Sequence, residues 1–158
     1  MKPNIEKANF VAKSADIIGD VTAEENSSIW YNCTLRGDIA PIRIGKNSNV
    51  QDNSVIHVNH DTGTIIGENV TIGHRVLLHA CTVEDGCLIG MGSIILDNSV
   101  IGKESIVGAG ALVTMGKIFP PRSLILGSPA KAVRTLTEEE IEGIRKNVAS
   151  YVEISKKY

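Results

Sequence analysis

The chain has 158 residues, of which 42% are hydrophobic and 22% charged, and its net charge is −2. That balance fits one globular domain and excludes a disordered chain. The lack of a long apolar run excludes a transmembrane helix, and the lack of a basic cluster argues against nucleic acid and membrane surfaces as partners. The first ten residues, MKPNIEKANF, contain no apolar stretch of a secretory signal, so a cytoplasmic location is the expectation. Three cysteines at loose spacing do not make a disulfide framework. Aromatics are few at 4%, glycines number 15, and Ile and Val abound, which points to an internal repeat.

An aliphatic residue recurs every six positions from near the start: Val11, Ile17, Ala23, Ile29 and Leu35. The register slips by three residues over Gly37–Arg43, where Gly37 and Pro41 mark a break. It resumes at Ile44, Val50 and Ile56, crosses a ten-residue step over Val58–Ile65, and continues at Ile66, Ile72 and Leu78. A five-residue step leads to Val83, and Ile89, Ile95, Ile101, Val107, Val113, Phe119 and Ile125 follow. Two places before most of these sits a small residue, such as Cys87, Ser93, Ser99, Ser105, Ala111 and Ser123. Cys33, Cys81 and Cys87 share that slot and read as core residues rather than metal ligands. Trp30 occupies the outward slot after Ile29 and is expected at a groove or a subunit contact.

Beyond the repeats lies Gly127-Ser-Pro-Ala-Lys-Ala-Val-Arg134. Thr137-Glu-Glu-Glu140 reads as a capping box, and Ile141, Ile144, Val148, Tyr151 and Val152 form one apolar stripe over residues 138–156. The expected layout is a repeat domain over 1–134 and a helix over 135–158 that packs on it.

A six-residue period suits neither a helix nor a long amphipathic strand. One short strand and one turn per hexad fit it, with coils that bury their aliphatic residues against the coils above and below. The pattern resembles the hexapeptide-repeat family. That resemblance implies an all-β solenoid, a left-handed parallel β-helix with three hexads per coil. About nineteen hexads then make about six coils.

With three hexads per coil, His57 and His79 fall one coil apart, each directly after an inward aliphatic residue. They should stack on the same outer surface, about 4.8 Å apart. Arg36 precedes them in the column and Leu96 follows. His74 lies in another slot, one coil above Asp52, and does not easily join the pair within its own chain; a neighbouring subunit that presents its corner to the column could supply it, as a three-fold cyclic trimer would. Three histidines with an open fourth position are the pattern of a catalytic zinc site.

The set Leu35-Arg36-Gly37-Asp38, Gln51-Asp52, Ile56-His57, Gly73-His74 and Leu78-His79 resembles the gamma-class carbonic anhydrases, in their short-loop bacterial form. The resemblance runs from Ile17 to Arg134. It implies a homotrimer that hydrates CO2 to bicarbonate at metal sites between subunits. His57 and His79 would bind the metal from one chain and His74 from its neighbour; zinc is the implied ion, with iron or cobalt as alternatives. Arg36 and Asp38 would form an interface ion pair with Asp52 as a further acidic partner, and Gln51 would hydrogen-bond solvent or bicarbonate. This chain departs from the family pattern at Ile39, where a glutamate is usual, and in Val58-Asn-His-Asp-Thr-Gly63, where a longer acidic loop carries a proton shuttle. His60 stands nearest that shuttle and could relay protons. Two other classes fit the same repeats: a metal-binding scaffold trimer with little catalysis, and an acyltransferase that uses an acyl-CoA donor.

Overall fold

The computed structural model describes residues 2–158, which form a left-handed parallel β-helix of about six coils followed by one helix. The first face is built from Phe10–Val11, Ser28–Ile29, Asn49–Val50, Thr71–Ile72, Leu88–Ile89, Ile106–Val107 and Ser123–Gly127, all parallel. The last of these pairs with an antiparallel strand, Ala130–Thr135, that closes the sheet. A second sheet of ten strands covers the other two faces, because Asp16–Ala23 and Thr34–Ile44 run across the corner between them. Thr34 and Leu35 pair with Val55 and Ile56 on one face, while Ile42–Ile44 pair with Thr64–Ile66 on the next.

The hexad explains the core. Every inward aliphatic residue from Ile29 to Val113 is buried, among them Leu35, Ile56, Ile72, Leu78, Ile95 and Val107 at 0% exposure. The small slot is buried as well, and its serines stitch the coils together. Ser54 Oγ donates to the Gly73 carbonyl at 2.9 Å and accepts from the Val76 N–H at 3.2 Å. Ser48 makes the equivalent pair with Gly67 and Val70. A buried hydroxyl thus meets its hydrogen-bonding needs on the next coil. Cys33, Cys81 and Cys87 occupy the same slot, buried and free.

The corners have their own residue preference. Asn26, Asn47 and Asn69 lie one above another at φ near +60°, a region that asparagine tolerates better than most side chains. Their amides form a ladder, Asn26 Nδ2 to Asn47 Oδ1 at 3.1 Å and Asn47 Nδ2 to Asn69 Oδ1 at 2.8 Å.

The helix spans Glu138–Ser155 and starts on the capping box that Thr137 and Glu140 make. It runs back along the first face. Leu136, Ile141 and Ile144 pack on Leu88, Ile106 and Leu124, and the later turns reach Ser28–Ile29, Asn49–Val50 and Thr71–Ile72. Trp30 therefore lies neither in a groove nor at an open surface. It is buried beneath the helix among Phe10, Tyr151 and Tyr158, and its Nε1–H donates to Ser28 Oγ at 3.0 Å. Outward slots on the first face are covered by this helix, which the hexad alone does not tell. No helix among the described residues is long and apolar enough to cross a membrane.

Candidate metal centre

His57 ends the strand Val55–His57 and His79 ends Leu77–His79; the two residues are direct partners in the parallel ladder. Their rings lie 5.1 Å apart by centroid, and His57 Nδ1 faces His79 Nε2 at 3.2 Å. The column of Arg36, His57, His79 and Leu96 holds as the register requires.

Asp38 comes from the three-residue slip in the repeat. In the pairing of Asp16–Ala23 with Thr34–Ile44, Gly19 meets Gly37 but Val21 meets Ile42, so Asp38, Ile39 and Ala40 are extra residues that bulge from the corner. Gly37 sits tightly against the neighbouring coil: a Cβ there would lie 2.7 Å from the Asp20 carbonyl oxygen. The bulge brings the Asp38 carboxylate onto the Arg36 guanidinium, and Asp38 Oδ1 lies 3.1 Å from His57 Nε2. Partial burial opposes the charge on Asp38, but the bonds from Arg36 and His57 outweigh it and hold the carboxyl below its usual range.

His79 has a carboxylate of its own. Its Nδ1 lies 2.6 Å from Asp97 Oδ1, and Asn59 Nδ2 donates to Asp97 Oδ2 at 2.7 Å. Burial works against the charge of Asp97 too, and Asn59 and His79 more than offset it. Sequence reasoning missed both residues. Asp97 directly follows Leu96 in the histidine column, which was the available signal, but the direction its side chain takes at the turn was not readable.

His74 stands at the opposite corner of this face, with Nδ1 2.9 Å from Asp52 Oδ2. Thus His57, His74 and His79 each set one ring nitrogen against a carboxylate. Gln51 lies next to Asp52, almost fully buried, and its Nε2 donates to Asn49 Oδ1 at 3.1 Å. The fold brings Arg36, Asp38, His57 and His79 together at one edge and Asp52 and His74 at the other, while the Gln51 side chain is buried against Asn49 on the first face. His60 is exposed in the loop after His57. That loop is folded by Asn59, whose Oδ1 accepts from the N–H groups of Asp61 and Thr62. Among the described residues no three His, Cys, Asp or Glu side chains of one chain converge in metal-binding geometry.

The imidazole pair nonetheless fits an ion. Carboxylates only accept, so the nitrogens facing Asp38 and Asp97 carry the hydrogens. In the neutral rings His57 Nδ1 and His79 Nε2 then present lone pairs to each other. Two lone pairs at 3.2 Å repel, and a shared cation relieves that repulsion. Two nitrogens at 2.0–2.1 Å from one tetrahedral ion would be about 3.3 Å apart. Carboxylate-braced imidazoles are also the usual form of histidine ligands. Imidazole donors suit zinc and iron.

Between the two edges the face is apolar and open. Val55 is 41%, Ile94 38% and Met91 59% exposed, with Leu77 among them. His74 and Arg75 border a depression that Leu77, Met91 and Ile94 line.

Comparison with known proteins adds four findings. Residues 80–114 match the model of the bacterial transferase hexapeptide repeat. Over 151 residues the chain is 51% identical to a probable carbonic anhydrase of Methanocaldococcus jannaschii, covering 96% of this chain and 95% of that protein. It is 44% identical to the mitochondrial gamma carbonic anhydrase 1 of Arabidopsis thaliana, covering 94% of this chain but 56% of that longer relative. Among solved structures, a hexapeptide transferase family protein of Anaplasma phagocytophilum superposes with a TM-score of 0.94 at 44% identity, covering 99% of this chain and 92% of that one.

Proposed function

This chain belongs to the gamma-class carbonic anhydrase family of hexapeptide-repeat proteins, and from that premise we propose that it hydrates CO2 reversibly at a three-histidine metal site shared between the subunits of a trimer. The observation that carries the proposal is the braced imidazole pair, His57 and His79, whose Nδ1 and Nε2 face each other at 3.2 Å. His74 of the partner subunit supplies the third nitrogen. The open apolar strip of Val55, Leu77, Met91 and Ile94 supports this arrangement, because a neighbour that covers it carries a His74 corner to the pair. Gln51 and Asp52 travel with that corner.

Zinc is the ion we assign, with iron or cobalt as alternatives; when bound, it supplies a Lewis acid and a nucleophile at neutral pH. The chain's own residues do the rest. Asp38 keeps the proton of His57 on Nε2, so that Nδ1 is free to donate its lone pair. Arg36 anchors Asp38 through their ion pair. Gln51 hydrogen-bonds solvent or bicarbonate, and Asp52 keeps the proton of His74 on Nδ1. His60, exposed beside the imidazole pair in sequence, takes the proton released by hydration to bulk water.

The test is stopped-flow CO2 hydration by the full chain loaded with zinc or, under anaerobic conditions, with iron. Metal-dependent hydration that His79→Ala abolishes together with bound metal is the expected result. A fully loaded protein with no rate above buffer leaves the scaffold reading instead. Acetyl transfer from acetyl-CoA without metal would favour the acyltransferase reading, which shares the fold. His74→Ala should also lose metal, although this residue lies at the other edge of the same chain.

A further inference from the structure

Asp97 and Asn59 belong to no element of the expected site, yet they meet at it. Asn59 sits in the loop that follows His57, and Asp97 sits two coils further on. The Asp97 carboxylate is occupied on both oxygens: His79 Nδ1 at 2.6 Å on Oδ1 and Asn59 Nδ2 at 2.7 Å on Oδ2. Asn59 is itself fixed, since its Oδ1 accepts two backbone N–H groups of the loop and its own N–H donates to the Thr62 carbonyl. Thr62 Oγ1 donates to Asn98 Oδ1 at 3.1 Å, and Thr64 Oγ1 to the His57 carbonyl at 2.6 Å. The short loop over residues 58–63 is therefore tied at one end to His57 and at its middle to the turn that bears Asp97.

We propose that Asp97 is a positioning residue for His79, held in place by Asn59, and that the loop over 58–63 serves to orient a metal ligand. This rests on the reading of His57 and His79 as the residues that hold the metal. Asp97 fixes the His79 proton on Nδ1 and so aims the lone pair of Nε2 at the shared point. Asn59 stops the carboxylate from rotating away. Partners of this kind matter for metal affinity at a scale of about ten- to a hundredfold.

Zinc affinity, measured on the full-length protein by competition with a chromophoric chelator, tests the role, together with the visible absorption of the cobalt(II) form. Asp97→Ala should weaken zinc about ten- to a hundredfold and alter the cobalt spectrum, while thermal midpoint and oligomer mass stay near those of the parent. Asp97→Asn keeps one acceptor oxygen and should fall between. Asn59→Ala should weaken zinc in the same direction by less, and it decides the matter if Asp97→Ala fails to fold. Zinc binding within twofold of the parent in both Asp97→Ala and Asn59→Ala, with His79→Ala unable to bind, would overturn the positioning role and leave the metal site standing. Undiminished binding in His79→Ala would instead overturn the metal site and this inference with it.

Discussion

Cys33, Cys81 and Cys87 illustrate how one residue's slot decides its chemistry. Burial pushes their thiols up to about 11, 12 and 12 respectively. At pH 8 only about one part in a thousand of the least shifted thiol is ionised, and the thiolate is the reactive form. A disulfide reagent should thus find no fast thiol in the folded protein and three after denaturation; a thiol that reacts within seconds in the folded state would show that a coil opens readily. The hexad made this legible, because the slot two places before each aliphatic residue points inward. It also made the stacking of His57 on His79 legible, since their relation depends only on counting hexads. Asp97 was not legible for a physical reason. Its carboxylate meets His79 from the next coil and Asn59 across a loop, and side-chain direction at a turn is set by the left-handed corner residues around it, not by the period.

At the scale of elements, the capping box and the coil-to-coil serines carry separate predictions. Ser54 serves two buried groups on the next coil, so Ser54→Ala should cost about 1–3 kcal/mol, read as a lower urea midpoint at unchanged slope. Thr137→Ala should cost about 1 kcal/mol by leaving a helical N–H without its acceptor. Glu140 adds a pH dependence to the same helix start. Arg134 first, and then the Thr137 N–H, hold its carboxyl down at about 2, against an ordinary 4.5. Because the folded value lies below the unfolded one, its contribution is complete above about pH 4.5 and is lost as pH falls toward 2. Helical circular dichroism should decline over that window, and Glu140→Gln should flatten the decline; an identical acid profile in the variant would rule out this carboxylate as the cause. The box was readable from four consecutive residues. The bulge of Asp38, Ile39 and Ala40 was readable only as a slip, and pairing of the flanking strands was needed to see that it delivers a carboxylate to His57.

At the scale of the molecule, the prism separates the candidate site into two edges of one face, with the exposed apolar side chains of Val55 and Ile94 between them. That division is what a three-fold assembly would resolve, and it predicts that His57→Ala and His74→Ala, each without metal alone, regain one complete site when mixed in a single refolded trimer. Metal bound in such mixtures, measured after removal of free ion, tests the sharing directly; mixtures as empty as either parent would contradict it. A stack of coils is otherwise a row, in which each unit leans only on its neighbours and the last ones fray first. Here the helix leaves the final coil and returns to the first, where Ser155 Oγ accepts from Asn9 Nδ2 and Tyr151 packs edge-on against Trp30. The row is thereby bent into a circuit. Neither terminal coil can peel away without also releasing the strap that spans all the others, so amide exchange should slow to a common rate along the prism in place of a gradient from its ends.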